Sequence, residues 1–185
     1  MKLILTELDG CFIIEPTIFH DSRGWFFESF NEERFNQLSN LNIRFVQDNQ
    51  SFSTKGVLRG LHYQRGMYQQ AKLIQVLSGT ILDVVVDLRI DSPTYRKSIS
   101  VELDSITRNS LFVPKGFAHG FVVLSEQALI HYKCDNYYFK DAEGGIIYND
   151  ESLNINWRFD KEELIVSEKD NLLPRIENSL SICEF

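Results

Sequence analysis

The sequence has few cysteines, no long apolar run and no surplus of positive charge, and each shortage closes off a class of protein. Three cysteines, Cys11, Cys134 and Cys183, stand far apart with no CxxC pair among them. An odd, scattered set does not make a disulfide framework or a zinc site, and reads instead as reduced thiols in a cytosolic protein. No stretch approaches the ~18 consecutive apolar residues of a membrane-spanning helix. The first residues, MKLILTELDG, hold no long apolar h-region, so no signal peptide is expected. Lys and Arg number 19 against 26 Asp and Glu, a formal net charge of -7. That balance argues against nucleic-acid or acidic-membrane partners, which need a basic face. A small anionic ligand remains open, because a few local Arg and Lys side chains suffice to hold one. Repeats, low-complexity runs and linker-like stretches are missing as well, so 1–185 is expected to be a single domain.

Against those shortages stands a series of short strand-like runs. Ser98-Ile99-Ser100-Val101-Glu102-Leu103 alternates polar with apolar, as a half-buried strand does. From Leu82 to Leu88, one face carries Leu82, Val84, Val86 and Leu88, and the other Ile81, Asp83, Val85 and Asp87. Further strands are expected over 11–15, 24–30, 43–52, 57–64, 70–78, 109–114, 119–125 and 128–134. Turn signals separate them: Asp9-Gly10, Ser22-Arg23-Gly24, Lys55-Gly56, Ser78-Gly79, Ser92-Pro93 and Pro114-Lys115-Gly116. Helix signals are scarce. The clearest runs from Asn31 to Leu38, with Asn31 as N-cap followed by two acids, and a short one is expected at Asp160–Leu164. Many strands, regular turns and little helix predict an all-β sandwich or barrel. A barrel encloses a lumen in which inward side chains can form a ligand site, and fourteen Phe residues suit its core or an aromatic-lined pocket.

Polar and aromatic residues concentrate in four places. The densest lies between Val46 and Lys72 and contains Gly56-Val57-Leu58-Arg59-Gly60-Leu61-His62-Tyr63-Gln64. The others are Pro114 to Phe121; His131-Tyr132-Lys133 with Tyr138 and Glu143; and Ser167-Glu168-Lys169-Asp170. The first two resemble the cupin barrels, whose metal-binding members carry G-x5-H-x-H with a following Glu, then P-x-G-x-x-H. Gly56 and His62 match the first segment, and Pro114, Gly116 and His119 the second. Gln64 replaces the second His, and no Glu follows at or near Lys72. Two ligands fall short of the three or four a stable metal site needs, so a cupin-like jelly-roll β-barrel with a few short helices is expected, with no metal and no cofactor.

Seven segments then resemble, in order, the dTDP-4-dehydrorhamnose 3,5-epimerase family: FHDSRGWFFESF, FVQDNQSFSTKGVLRGLHYQ, QAKLIQVLSGTILDVVVDLRIDSPTY, VPKGFAHGFVVLS, YKCDNYY, EGGIIYND and SEKD. They span most of the chain. The resemblance implies inversion of carbons 3 and 5 of a nucleotide-linked 4-keto-6-deoxyhexose. Both carbons flank the ketone, so their protons are acidic only because the resulting carbanion becomes an enolate on the carbon-4 oxygen. Such an enzyme needs a base, a donor for the oxyanion and an acid on the opposite face.

By this resemblance His62 is the base, since an imidazole of pKa ~6.5 can be neutral and accept a proton at cytosolic pH. Asp170 is its carboxylate partner, fixing the tautomer and stabilising the imidazolium. Tyr132 is the acid, being protonated at rest with a pKa of ~10. Lys72, which shares a strand face with Ile74 and Val76, is the oxyanion donor. Arg59 and Arg23 suit the diphosphate, because guanidinium offers bidentate donors. Gln47, Asn49 and Glu28 suit the nucleobase or ribose, Tyr138 the sugar, and His119, Glu143 and Lys169 match further substrate contacts. Alone, His62 would pass for a hydrogen-bonded core residue and Lys72 for a surface cation; the ordered segments set them apart. The resemblance also implies a homodimer whose N-terminal segment crosses to the partner.

Some residues depart from the family pattern. Arg65-Gly66-Met67-Tyr68-Gln69 lacks the usual loop prolines, Lys140 stands for a proline, and Tyr148 for a tryptophan before Asn-Asp. Three other readings stay open on the residues: a single-carbon epimerase or one acting on a related nucleotide 4-ketosugar, a non-catalytic nucleotide-sugar-binding barrel, and a metal-dependent cupin oxygenase.

Overall fold

The computed structural model describes residues 1–179, so Cys183 lies outside the described residues. In chain order the strands are β1 (Lys2–Leu5), β2 (Phe12–Glu15), β3 (Phe19–Asp21), β4 (Gly24–Phe26), β5 (Gln47–Thr54), β6 (Val57–Gln64) and β7 (Lys72–Ser78). They continue as β8 (Thr80–Asp87), β9 (Ser98–Asp104), β10 (Ser110–Val113), β11 (Phe117–Val123), β12 (Gln127–Cys134), β13 (Glu143–Gly145) and β14 (Ile165–Val166). Helices are few and short: α1 (Glu32–Ser39), α2 (Glu168–Asn171) and α3 (Ile176–Ser179).

Two sheets face one another. The first runs β1-β2-β10-β7-β12-β5, and the second β13-β6-β11-β8-β9 with β14 beside β6. Between them lies an apolar layer drawn from both, including Ile74, Val76, Val85, Leu111, Phe121 and Ile130. This is the cupin-like jelly roll expected from the sequence.

The second sheet is buried on both faces. Its outer side, with Leu61, Leu82, Val84, Val86 and Val122, is covered by the C-terminal segment through Ile146, Tyr148, Leu153, Trp157 and Ile176. Each fully buried aliphatic side chain here contributes roughly 1.5–3 kcal/mol before entropy is counted. The Trp157 indole donates to the backbone carbonyl of Tyr148 at 2.8 Å, and the buried Tyr148 packs in the same cover. The two faces of 82–88 are therefore buried for different reasons: one lies under the C-terminal cover and the other faces the lumen. On the outer side of the first sheet, α1 packs Phe35 against Phe12 and Phe112. Asn31 caps α1 as expected, its side chain accepting from the Arg34 N–H.

Several boundaries differ from the sequence reading. The strand over 57–64 is as expected, but the one expected over 24–30 is only Gly24–Phe26, paired with β3 as a separate hairpin. Residues 43–46 precede β5 instead of belonging to it. The helix expected at Asp160–Leu164 is one 3-10 turn, Lys161–Glu163, closed by a capping box from Asp160. The short elements β1, β13, β14, α2 and α3 are too brief for periodicity to reveal.

One irregularity determines which β6 side chains face the lumen. His62 pairs with His119 of β11 and Arg59 with Phe121, so three steps on β6 oppose two on β11. This bulge turns Arg59 and His62 to the same side, although strict alternation would separate them. It requires Gly60, whose φ is 125°; a Cβ there would lie 2.5 Å from Gly120 Cα and 2.8 Å from the His119 carbonyl oxygen. Gly60→Ala is therefore expected to lower stability by about 1–3 kcal/mol or more. Urea-unfolding midpoints measure this, and an unchanged midpoint would show that the strands relax around the methyl group.

Candidate active site

The lumen contains a cavity of about 520 Å³ and a second of about 320 Å³. His62, Lys72 and Tyr132 line both. His62 comes from β6 in the second sheet, whereas Lys72 and Tyr132 come from β7 and β12 in the first. The cavities thus meet at a wall where an imidazole confronts a phenol and an ammonium from the opposite sheet.

His62 Nε2 lies 2.7 Å from Asp170 Oδ1, and Asp170 Oδ2 accepts from the Gly60 N–H at 3.2 Å. Asp170 is buried in α2, whose N-cap Ser167 accepts from the Asp170 N–H at 3.1 Å. Burial would raise its carboxyl pKa, but the hydrogen bond and charge of His62, with the Gly60 N–H, outweigh burial and hold it below the usual carboxylate range. Ionised Asp170 can only accept, so His62 Nε2 carries the proton and Nδ1 keeps the lone pair. His62 is thereby set up as a proton acceptor.

The first sheet supplies the facing groups by register. Tyr132 pairs with Asn49 on one side and Ile74 on the other, and Cys134 pairs with Gln47 and Lys72. Burial raises the Tyr132 phenol above its ordinary value, helped by Cys134 and opposed by Arg59. Tyr132 is thus held protonated. Burial pushes the Lys72 ammonium down, while the charges of Cys134, Asp83 and Glu143 oppose that shift. Lys72 keeps N–H donors in either state. The Cys134 thiol beside it is pushed up to about 11, again by burial.

Other expected residues fall into place around this wall. Arg59 Nε donates to Ser53 Oγ at 3.1 Å, and the guanidinium borders the larger cavity. The buried His119 Nε2 lies 2.9 Å from Asp83 Oδ2, forming a second imidazole–carboxylate pair. Tyr138 donates its hydroxyl to Glu143 Oε2 at 2.9 Å, and Lys169 Nζ lies 2.7 Å from the same oxygen. Burial alone would raise Glu143, but Lys169, Tyr138 and the nearby His62 charge lower it. Gln47 Nε2 donates to Asn49 Oδ1 at 3.0 Å.

Arg23 and Glu28 are not brought to this wall. Arg23 pairs with Asp21 at 2.6 Å in the exposed β3–β4 hairpin, and Glu28 pairs with Arg34 at 3.0 Å. Sequence reading missed Asp83, Ser51 and Phe121. An Asp within the Val-rich β8 was the available signal for Asp83, whereas Ser51 carried none. Its Oγ is buried, borders the larger cavity and has no hydrogen-bond partner among the described residues. At the cupin metal position Gln64 instead accepts the Phe139 N–H at 2.9 Å. Among the described residues no three His, Cys, Asp or Glu side chains cluster as metal ligands. None of the described helices is long and apolar enough to cross a membrane.

Comparison with known proteins fits this geometry. The family model for dTDP-4-dehydrorhamnose 3,5-epimerase matches residues 5–178. The chain belongs to the dTDP-4-dehydrorhamnose 3,5-epimerase family. It is 47% identical over 179 residues to the dTDP-4-dehydrorhamnose 3,5-epimerase of Methanothermobacter thermautotrophicus, covering 96% of each chain. The dTDP-6-deoxy-D-glucose-3,5-epimerase of Legionella pneumophila, solved in complex with dTDP-4-keto-L-rhamnose, superposes with a TM-score of 0.91. It is 44% identical, with 97% of this chain and 96% of that one covered. A 3′-monoepimerase from Streptomyces bikiniensis, solved with dTDP-quinovose, has a TM-score of 0.90 at 30% identity, covering 100% of this chain and 92% of that one.

Because the Asp170 carboxyl is depressed in the folded state, its stabilising contribution is present above the unfolded value of ~3.9 and is lost as pH falls through the folded value. Asp170→Asn should therefore show a shallower loss of stability than the parent as pH falls below about 4. Urea midpoints across that range test it, and identical acid limbs would remove the pair from the stability account.

Proposed function

We propose that this chain inverts carbons 3 and 5 of a dTDP-linked 4-keto-6-deoxyhexose, taking dTDP-4-dehydro-6-deoxyglucose to dTDP-4-dehydro-L-rhamnose. The observation that carries this reading is the shared cavity wall of His62, Tyr132 and Lys72, with the histidine facing the other two from the opposite sheet. Family membership and higher identity to 3,5-epimerases than to the 3′-monoepimerase support action at two carbons.

His62 Nδ1 takes the proton from the carbon beside the ketone, and Asp170 stabilises the imidazolium. The electron pair of the broken C–H bond moves into the ring and leaves negative charge on the carbon-4 oxygen. Lys72 donates to that oxygen inside the lumen, where a fixed donor is worth more than in water. Tyr132 then returns a proton to the opposite face. His62 passes its proton to solvent and the Tyr132 phenolate regains one, so the site is restored with no redox change. Arg59 and Lys169 attract the diphosphate, and His119, Tyr138 and Glu143 hold the sugar and nucleotide.

The chain acts in the cytoplasm as a homodimer of single-domain subunits. The β3–β4 hairpin leaves Phe19, Trp25 and Phe26 exposed, and it keeps Arg23 away from its own lumen. Delivery of Arg23 and Glu28 to a partner's cavity would cover those rings.

Incubation with dTDP-4-keto-6-deoxyglucose in deuterated water, followed by NMR, reads both carbons. His62→Ala is expected to stop label entry at both, a loss of ~10²- to 10⁴-fold or more. Tyr132→Phe is expected to keep label entry through His62 while inversion falls by ~10²-fold. Unchanged inversion would remove Tyr132 from the mechanism, and label at carbon 3 alone would make this a single-carbon epimerase.

Exhaustive chelation is expected to leave turnover unchanged, given Gln64 at the missing ligand position. Activity lost to the chelator and restored by zinc, iron or manganese would overturn that.

A further inference from the structure

Two consecutive amides of the loop between β12 and β13 are each held by a glutamine. The Tyr138 N–H donates to Gln47 Oε1 at 2.9 Å, and the Phe139 N–H to Gln64 Oε1 at 2.9 Å. Gln47 belongs to the first sheet and Gln64 to the second, so the loop is pinned from both. The same loop is stitched to the turn at 65–69. Phe139 stacks on Tyr68 with ring centroids 4.2 Å apart and planes at 15°. Asn136 Nδ2 donates to the Met67 carbonyl at 2.9 Å, and Arg65 Nη2 to that of Asp141 at 2.9 Å. None of these contacts uses His62, Lys72 or Tyr132.

Tyr138 belongs to the first of these loops. It borders the smaller cavity, yet it is 49% exposed. A ring so open to solvent is held less by burial than by its hydroxyl's bond to Glu143 and by the backbone that carries it. That backbone is ordered by Gln64 and Tyr68. Gln64 is buried, so removing its carbonyl oxygen would leave the Phe139 N–H without its acceptor. Tyr68 lies in the turn that lacks the family's prolines, so a ring stack does here what chain stiffness would otherwise do.

We propose that Gln64 and Tyr68 are positioning residues that hold the 136–142 loop so that Tyr138 closes the smaller cavity over the nucleotide sugar. They act on substrate affinity and not on proton transfer. This rests on the epimerase reading above.

Four variants of the full chain separate the contacts from volume and fold. Gln64→Met keeps size and removes the acceptor, whereas Gln64→Glu keeps it. Tyr68→Ala removes the stack, whereas Tyr68→Phe keeps it. With dTDP-4-keto-6-deoxyglucose, Gln64→Met and Tyr68→Ala should each raise KM by about 10-fold with kcat within about 2-fold, and the conservative partners should stay near the parent. In a Tyr138→Ala background the same replacements should add nothing to KM. Additive effects there, or a fall in kcat matching the rise in KM, overturn the proposal. Amide hydrogen exchange needs no turnover: the Phe139 amide should exchange faster in Gln64→Met, and unchanged protection also overturns the proposal. If Gln64→Met loses protection throughout β6, the half-buried Tyr68 carries the test. A parent chain that exchanges as expected but never turns over would instead defeat the epimerase reading and leave the clamp standing.

Discussion

Asp170 accepts from two donors that belong to the same bulge: the His62 ring and the Gly60 N–H. The bulge turns Arg59 and His62 inward together, and the carboxylate locks that arrangement from the C-terminal side. Asp170 can reach there because the C-terminal segment lies along the second sheet, with β14 pairing beside Val57 and Leu58 just before α2. The apolar cover over the outer face and the polar contact at the lumen are therefore one structural solution. Burying Leu61, Val84 and Trp157 brings residues 165–171 to the rim, and the rim delivers the partner of His62.

The charges around the lumen divide into satisfied pairs and two cations, Lys72 and Arg59, that form no ion pair among the described residues. Asp170 meets His62, Asp83 meets His119, and Glu143 meets Lys169. Lys72 takes part in no ion pair among the described residues, although burial disfavours its charge. A desolvated donor without an ion pair among the described residues is available to negative charge that arrives later, as the enolate oxygen of the proposed reaction would. The outward neighbours of Tyr132 follow the opposite rule: Lys133 is satisfied by Asp48 on β5, leaving the phenol alone on the inner face.

The 136–142 loop extends this logic to a segment with little burial. Its backbone is borrowed from by both sheets through Gln47 and Gln64, and its surface is completed by the Tyr68–Phe139 stack. Gln64 occupies the place where the metal-binding cupin pattern has a histidine, and here its amide oxygen accepts from the Phe139 N–H.

Alternation along the chain determined a good deal by itself. The runs at 57–64 and 98–103 read as strands because side-chain period two is local, and Asn31 read as a cap because a cap uses only its next three residues. The ordered segments singled out His62, Tyr132, Lys72 and Asp170 as a set. Only the tertiary structure decided that His62 and Arg59 share a face, since a bulge depends on the close approach of Gly60 to Gly120, sixty residues away in the chain. It also decided that Arg23 and Glu28 stand apart from the lumen, that Asp83 supports His119, and that Gln64 holds Phe139. Periodicity records which way a side chain points within its own strand. What it meets there depends on register and sheet pairing between segments far apart in the chain, and those are settled only when the two sheets close on each other.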